Sequence, residues 1–496
     1  MTRTATRRRR LIVVSSVVLA TVVGAVLRIS PESSQSYWYD EAVTVWLLRE
    51  PFVDLLKSIA QTENTPPLYY VAAWAWTRLF GDGEFALRSL SGMAGIATIP
   101  VTFLAGRALV SKRAGVVAAW LVAVSPVLVW YSQEARAYAF LVFLCTTSVW
   151  LFAEARAGRG VWLAAWAVVS AIALTAHYYA MFLVAAEALW LIAESRGRRR
   201  MVWAAVAVPA VIGAALLPLA SHQQDNGRGQ WIAGISLHRR LEAGAKQLLG
   251  GENVQLAWFV WIAAFAVAVG VILFYGTPRA RRGAGTAAVL AASAVLVPLA
   301  VAAVAQLRPN PYVLDTWLAR NVIASLPLVA IVLGAALTVR RLGVAGPIAA
   351  AAVVLFAVTV EIDHRNDNRK TDWRGLAAAL KSNPAKGVVV SPGHEQTVLR
   401  LYHEGLRGVG LDGANVKTLI VAIHAGDEDD VLCDPGDPGE GCFFPPAGAR
   451  TSSTMTRDFQ IERFEWAQPV SVAGGTRTTS IFDAGLGPRL FLTATG

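Results

Sequence analysis

Apolar residues run in long, closely spaced blocks from near the N-terminus to about residue 361, and thin out beyond it. The blocks fall at roughly 11–28, 86–106, 114–131, 137–153, 161–176, 180–194, 201–220, 256–275, 285–306, 320–339 and 344–361. A helix needs about 20 apolar residues to cross a hydrocarbon core of about 30 Å. The blocks therefore predict eleven transmembrane helices, with soft boundaries where a block is short. Short cytoplasmic loops retain Lys and Arg, so the basic residues predict orientation. Arg7 to Arg10 precede the first block; Arg107, Lys112 and Arg113 follow the second; Arg156 and Arg159 follow the fourth. Arg196 and Arg198 to Arg200, then Arg279, Arg281 and Arg282, then Arg340 and Arg341 continue the alternation. Every second connection is basic, which puts the N-terminus inside and the C-terminus outside. The basic start and apolar run of the first block mimic a signal peptide. No small-x-small cleavage site follows, however, and the run is long enough to span, so an uncleaved helix is expected.

Three polar segments on the outer side exceed a simple turn. In 29–85, the stretch Glu41–Ile59 puts Val43, Trp46, Leu47, Leu55 and Leu56 on one side of an interfacial helix, which Pro51 kinks or divides. Asn64-Thr65-Pro66-Pro67-Leu68-Tyr69-Tyr70 reads as an extended turn leading into a second apolar stretch, Leu68–Phe80. If that stretch crossed, every later loop would invert, so it is expected to lie at the interface or to re-enter. The segment 221–255 reads as a mobile loop able to cover a site. In the tail, Gly387–Pro392 and Thr418–Ala422 predict short buried strands, Leu376–Leu380 and Thr397–His403 helices, and Ser480–Asp483 a last strand. A tail of this length can bury its own core. The expected organisation is a transmembrane domain over 1–361 and a small α/β or α+β extracytoplasmic domain over 362–496.

Composition narrows the function. Hydrophobic residues make up 55% of the 496 and charged residues only 16%, so single carboxylates near a membrane face become candidates for function. The net charge of +11 comes mostly from the inner loops and gives no reason to expect nucleic acid. Cys145 lies within a block and reads as packing. Cys433 and Cys442 bracket a turn-rich polar loop, and an outer location favours a disulfide between them over two free thiols. There is no Walker loop, dinucleotide fingerprint, zinc-type Cys/His spacing or nucleophile elbow.

Asp40 and Glu41 follow the first block within Tyr37-Trp38-Tyr39-Asp40-Glu41. A carboxylate here can take a proton from an acceptor hydroxyl. Neighbours on a helix point about 100° apart, so one faces a site while the other orients it; a plain helix N-cap is the competing explanation. At the outer end of the third block, Tyr131-Ser132-Gln133-Glu134-Ala135-Arg136-Ala137-Tyr138 puts Glu134, Arg136 and Tyr138 on the same face as Asp40. Arginine matches phosphate bidentately, and Glu134 can hold it or contact a sugar; an aromatic belt with a solvated pair is the alternative. His177, with Tyr178 and Tyr179, occupies an outer turn, as a structural or a binding residue. Arg320 lies on the outer side, suited to phosphate or to snorkelling towards headgroups. Asp372-Trp373-Arg374 could brace the tail against the membrane.

Taken together, Trp38–Glu41, Asn64–Tyr70 and Ser132–Tyr138, with His177–Tyr179, Arg320-Asn321 and Asp372–Arg374, resemble the GT-C superfamily of membrane glycosyltransferases. The closest likeness is to the bacterial family 39, protein mannosyltransferase-like branch. The resemblance covers roughly residues 10–375. It implies a polyprenyl-phosphate sugar as donor and a protein, glycolipid or polysaccharide acceptor at the outer face of a bacterial cytoplasmic membrane. It implies Asp40 as base with Glu41 beside it, and Arg136 and Arg320 on the lipid phosphate. Glu134, Tyr138, His177, Asn64 and Tyr69 complete the substrate site. Relatives often show Arg-Tyr where this chain has Arg320-Asn321. No cofactor and no metal is called for beyond the donor itself. A flippase of a lipid-linked sugar, or an outer-face glycan ligase, is the competing class.

Overall fold

A computed structural model of the chain describes residues 3–29, 35–158, 160–225, 232, 234–249, 266–307, 316–367, 370–382, 387–391, 396–403, 406–408, 414–424, 446–472 and 489–492. It divides into two compact units, Met1–Ser33 with Leu48–Asn368 and Ser34–Leu47 with Arg369–Gly496.

The first unit is helical. After α1 (Arg3–Arg28) and α2 (Tyr39–Arg49), which starts in the second unit, come α3 (Phe52–Thr62), α4 (Leu68–Phe80), α5 (Glu84–Leu109), α6 (Lys112–Ala123) and α7 (Pro126–Ser132). Then follow α8 (Tyr138–Arg156), α9 (Gly160–Ala176), α10 (Ala180–Ala193), α11 (Arg199–Asp225), α12 (Leu237–Leu249) and α13 (Ala266–Tyr275). The last are α14 (Pro278–Ala305), α15 (Leu326–Leu337) and α16 (Ala345–Asp367). Among the described residues, five are long and apolar enough to cross a membrane: α1 from Arg10, α5, α8, α11 and α14. The pair α6 and α7, bent by 60°, makes a sixth if taken as one span. The other five predicted blocks meet apolar helices of 10–17 residues, α9, α10, α13, Ile323–Leu337 and Ala345–Thr359, with 256–265 of the block ending at 275 lying outside the described residues. The polytopic helical fold is as expected, while by length and composition five or six helices among the described residues qualify as spans.

Local chemistry explains the irregular features. Pro51 lacks an amide N–H and separates α2 from α3, as expected. Pro126 opens α7 and enforces the break after α6. That break frees carbonyls inside the bundle, and the buried Arg28 caps them. Its guanidinium donates to the Ala123 and Val122 carbonyls at 2.8 and 3.0 Å and to Ser132 Oγ at 3.2 Å. Helices α5 and α6 meet through glycine: a Cβ on Gly106 would lie 2.8 Å from Gly115 Cα. The segment expected as a covering loop is more helical than predicted, since α11 runs on to Asp225 and α12 follows.

The second unit is a six-stranded mixed sheet. Its strands are β1 (Gly387–Ser391), β2 (Arg407–Gly408), β3 (Ala414–His424), β4 (Arg450–Met455), β5 (Phe459–Val472) and β6 (Arg489–Leu492), ordered β2-β6-β1-β3-β5-β4. Among the described strands only β1 and β3 run parallel, with Gly387 opposite Leu419 and Ser391 opposite Ile423. Helices α17 (Trp373–Ser382) and α18 (Gln396–Tyr402) pack on each other. From Leu419 to Ile423 central β3 is buried on both faces and continuously apolar, whereas Asn415 and Lys417 nearer its start are exposed. The predicted strands at 387–392 and 418–422 are β1 and the middle of β3, and both predicted tail helices form. The expected strand at 480–483 lies outside the described residues, as do Cys433 and Cys442. The β4–β5 hairpin was not anticipated. On β5 the buried positions shift from Phe459 and Ile461 to Phe464 and Trp466, one face to the other, which erases a period of two.

Candidate functional site

The acidic pair is split in its environment. Both residues lie in the first turn of α2, where carboxylates favour the helix dipole. Glu41 is fully buried; its Oε2 lies 3.1 Å from Lys370 Nζ and accepts the Trp38 amide at 3.4 Å. Lys370 is itself almost wholly covered. Asp40 is half-buried, and its carbonyl takes the Thr44 hydroxyl at 3.0 Å. The surrounding segment is laced into the second unit. Lys370 N–H donates to Gln35 Oε1 at 2.8 Å, Arg374 N–H to Ser36 Oγ at 3.1 Å and Tyr37 N–H to Tyr402 Oη at 2.8 Å. Trp46 Nε1 adds a bond to the Thr397 carbonyl at 3.2 Å. Glu41 is thus bound into a structural ion pair, and Asp40 is the more accessible carboxylate. Lys370 gave no sequence signal, being one more basic residue after an apolar block.

In the first unit, Arg136 forms a bidentate pair with Glu63, at 3.2 and 3.1 Å. Side-chain exposure is 12% for Arg136 and 4% for Glu63, so the pair is largely shielded from water. Glu63 is the C-cap of α3 and adjoins Asn64, which is exposed. The turn after it is pinned from α11. Gln223 Nε2 donates to the Ile59 and Thr65 carbonyls, both at 3.1 Å, and Gln223 Oε1 accepts Tyr178 Oη at 2.8 Å. Thr65 Oγ1 and Tyr70 Oη lie 3.3 Å apart. Burial pushes the Tyr70 phenol well up; Arg136 opposes this and Glu63 reinforces it. Tyr69 is buried with its ring edge-on to Tyr70 and Phe140.

The stretch Gln133–Tyr138 is a tight turn between α7 and α8. Arg136 N–H donates to the Glu134 carbonyl at 2.8 Å, Ser91 Oγ to the Arg136 carbonyl at 3.2 Å and Gln133 Nε2 to the Leu27 carbonyl at 2.8 Å. Glu134 and Tyr138 are buried. The Tyr138 ring joins two further residues: its centroid is 5.9 Å from that of His177, and the Arg320 guanidinium carbon stands 5.9 Å from it. His177 occupies the turn between α9 and α10, and its Nδ1 accepts the Tyr179 amide at 3.2 Å. Burial lowers its pKa to about 3, with Arg136 and then Arg320 adding to the effect. Both arginines therefore act on one buried imidazole. Arg320 sits in the short 3-10 turn Ala319–Asn321, held where Asn321 Nδ2 donates to the Thr316 carbonyl at 3.1 Å and Tyr179 Oη meets Thr316 Oγ1 at 3.2 Å.

The structure thus brings Arg136, Tyr138, His177 and Arg320 together, with Glu63 and Tyr70 alongside Arg136. It describes Asp40 and Glu41 in the other unit. Sequence reasoning passed over Glu63, although it immediately precedes the Pro-Pro turn. It also missed Glu187, buried within α10, whose carboxylate accepts Ser148 Oγ at 3.1 Å and Trp166 Nε1 at 2.8 Å. A lone Glu inside an apolar block was legible as unusual.

Residues 64–222 match the family model described as dolichyl-phosphate-mannose-protein mannosyltransferase. That stretch is less than half of the chain. It includes the Pro-Pro turn, Gln133–Tyr138 and His177–Tyr179, and the resemblance carried by those motifs is met there. No curated protein matches the chain in sequence. Among solved structures, ArnT from Cupriavidus metallidurans in the apo state is similar at a TM-score of 0.49 and 17% identity, over 75% of this chain and 70% of that one. The oligosaccharyltransferase of Archaeoglobus fulgidus, crystallised with Zn and sulfate, aligns at 0.45 and 14%, over 78% of this chain and 57% of that one. The arabinofuranosyltransferase AftD from Mycobacteria aligns at 0.39 and 14%, over 98% of this chain and 40% of that one. The chain therefore spans little more than half the length of the archaeal protein and less of the mycobacterial one.

Proposed function

We propose that the chain is a membrane glycosyltransferase that moves a sugar from a polyprenyl-phosphate carrier to an acceptor at the outer face of a bacterial cytoplasmic membrane. The observation that carries this reading is the cluster of His177, Tyr138 and Arg320 with the Arg136–Glu63 pair in the same unit, all but Glu63 and Arg320 within the stretch that matches a lipid-phosphate-sugar transferase family. Two fixed guanidiniums suit a phosphate whose negative charge grows as the glycosidic bond breaks.

Asp40 accepts the proton of the acceptor hydroxyl. The hydroxyl oxygen then bonds to the anomeric carbon, and the bond from that carbon to the phosphate oxygen breaks, with inversion. The polyprenyl phosphate leaves with its charge held by Arg136 and Arg320. Glu41, fixed by Lys370, orients the turn that presents Asp40. Glu134, Tyr138, Asn64 and Tyr69 shape the substrate site. An acceptor hydroxyl, a lipid-linked donor and these side chains balance the reaction without a cofactor.

The test is sugar transfer by the purified full chain in nanodiscs, given radiolabelled polyprenyl-phosphate sugars and membrane-extract acceptors. Label appearing in acceptor with one donor class, and lost on Arg136→Gln or Arg320→Gln, is expected. Full transfer by both arginine variants would remove the phosphate site from the mechanism.

A further inference from the structure

His177 is enclosed, with 3% of its surface exposed, yet only one of its two nitrogens has a partner among the described residues. Nδ1 accepts the Tyr179 amide N–H at 3.2 Å. A ring nitrogen that accepts a hydrogen bond carries no proton, so in the neutral ring the proton sits on Nε2. Nε2 is buried and has no hydrogen-bond partner among the described residues. Buried donors are rarely left unused, and an orphan in a native fold asks for an acceptor.

The surroundings say what kind. The ring lies in the field of Arg136 and Arg320, and its lowered pKa keeps it from becoming a third cation. Tyr138 and Tyr179 flank it at 5.9 and 5.8 Å between ring centroids. A donor N–H has no use for a cation, and with Arg320 near Tyr138 and Arg136 held by Glu63 in the same cluster it suits an anionic oxygen. The tautomer is set by main chain, since the Tyr179 amide belongs to the turn that opens α10.

We infer that His177 Nε2–H donates a hydrogen bond to a non-bridging oxygen of the lipid-carried phosphate, as a third donor alongside Arg136 and Arg320. This rests on the phosphate reading of the site proposed above, and adds the atom, the tautomer and the division of labour. The arginines supply charge, which any phosphate would attract. His177 supplies direction, because a ring fixed by packing and by Tyr179 can donate along one line only. It is a binding and positioning residue and takes no proton in the reaction.

The experiment uses the full chain in nanodiscs of neutral lipid and measures binding of undecaprenyl phosphate, with phosphatidylglycerol and inorganic phosphate as comparison ligands. Two variants are paired: His177→Phe keeps the ring and loses the donor, and His177→Gln keeps an amide N–H. The expected result is that His177→Phe weakens undecaprenyl phosphate binding by about tenfold or more, as loss of a donor to a charged acceptor does, while His177→Gln retains most of it. Ligand-free melting measures separately what His177→Phe costs by also removing the Nδ1 acceptor of the Tyr179 amide. Nitrogen-15 spectra of labelled wild type should show a protonated Nε2 whose resonance moves on adding undecaprenyl phosphate, a readout that needs no variant to fold. Wild-type binding that His177→Phe leaves unchanged, or an unmoved Nε2 resonance, would overturn the inference alone. Wild type that binds undecaprenyl phosphate no better than phosphatidylglycerol would sink the phosphate site and the inference together. Equal competition by inorganic phosphate would overturn the lipid-carried source.

Discussion

Replacing Glu63 with Gln removes one charge from the pair with Arg136 while keeping its shape. Two parallel contacts of 3.2 and 3.1 Å, with 12% and 4% exposure, make this a shielded bidentate bridge rather than a surface one. At this distance and an effective dielectric of about 20, the gross attraction is on the order of 5 kcal/mol. Stranding one partner of a buried pair costs about 3–5 kcal/mol; the residual exposure of Arg136 argues for the lower end, about 3 kcal/mol. Denaturant unfolding in detergent of Glu63→Gln, Arg136→Gln and the double variant isolates the interaction. The double should recover about 2 kcal/mol relative to the summed singles, because no charge is left unpaired. The same substitution frees Arg136 from an internal anion, so undecaprenyl phosphate should bind Glu63→Gln more tightly than wild type. Strictly additive stabilities, or weaker phosphate binding by Glu63→Gln, would refute the argument that the two anions compete for one guanidinium.

Three further outcomes are expected. Glu41→Gln should destabilise the folded chain by up to about 3 kcal/mol by removing the carboxylate charge 3.1 Å from Lys370 Nζ, while Glu41→Gln with Lys370→Met restores much of it, read by the same unfolding cycle. Arg28→Met should cost roughly 2–4 kcal/mol, since the Val122 and Ala123 carbonyls at the α6–α7 break lose their donor; melting in detergent checks this. For His177 the folded pKa lies below the unfolded one, so the unfolded chain takes up a proton first as pH falls. Stability should drop by about 1.4 kcal/mol per pH unit below about 6.5, and His177→Gln should flatten that slope in melts between pH 7 and 4.5.

The helical membrane fold was legible because apolar blocks of spanning length are a one-dimensional signal. Pro51 and the Pro66-Pro67 turn were legible for a local reason, the missing amide. Arg136, His177 and Arg320 could be picked out singly as polar groups where apolar ones were expected. Their convergence was not readable, because it depends on how the α7–α8 turn, the α9–α10 turn and the turn before α15 pack. Glu63 and Lys370 were invisible for the same reason. Each is an ordinary charged residue until its partner is known, and Arg136 lies far along the chain from Glu63, as Glu41 does from Lys370. The β4–β5 hairpin escaped because its buried positions change face.

The most direct measurement compares Asp40→Asn with wild type in two assays on one preparation: undecaprenyl phosphate binding, and transfer of sugar from a polyprenyl-phosphate donor. The expected result is unchanged binding with transfer abolished, as for an enzyme that has lost its base but kept its phosphate site. Transfer at the wild-type rate by Asp40→Asn would contradict the assignment of the base. Binding of the donor by wild type without any transfer, across the full acceptor panel, would contradict glycosyl transfer itself and favour a carrier that moves the lipid-linked sugar intact.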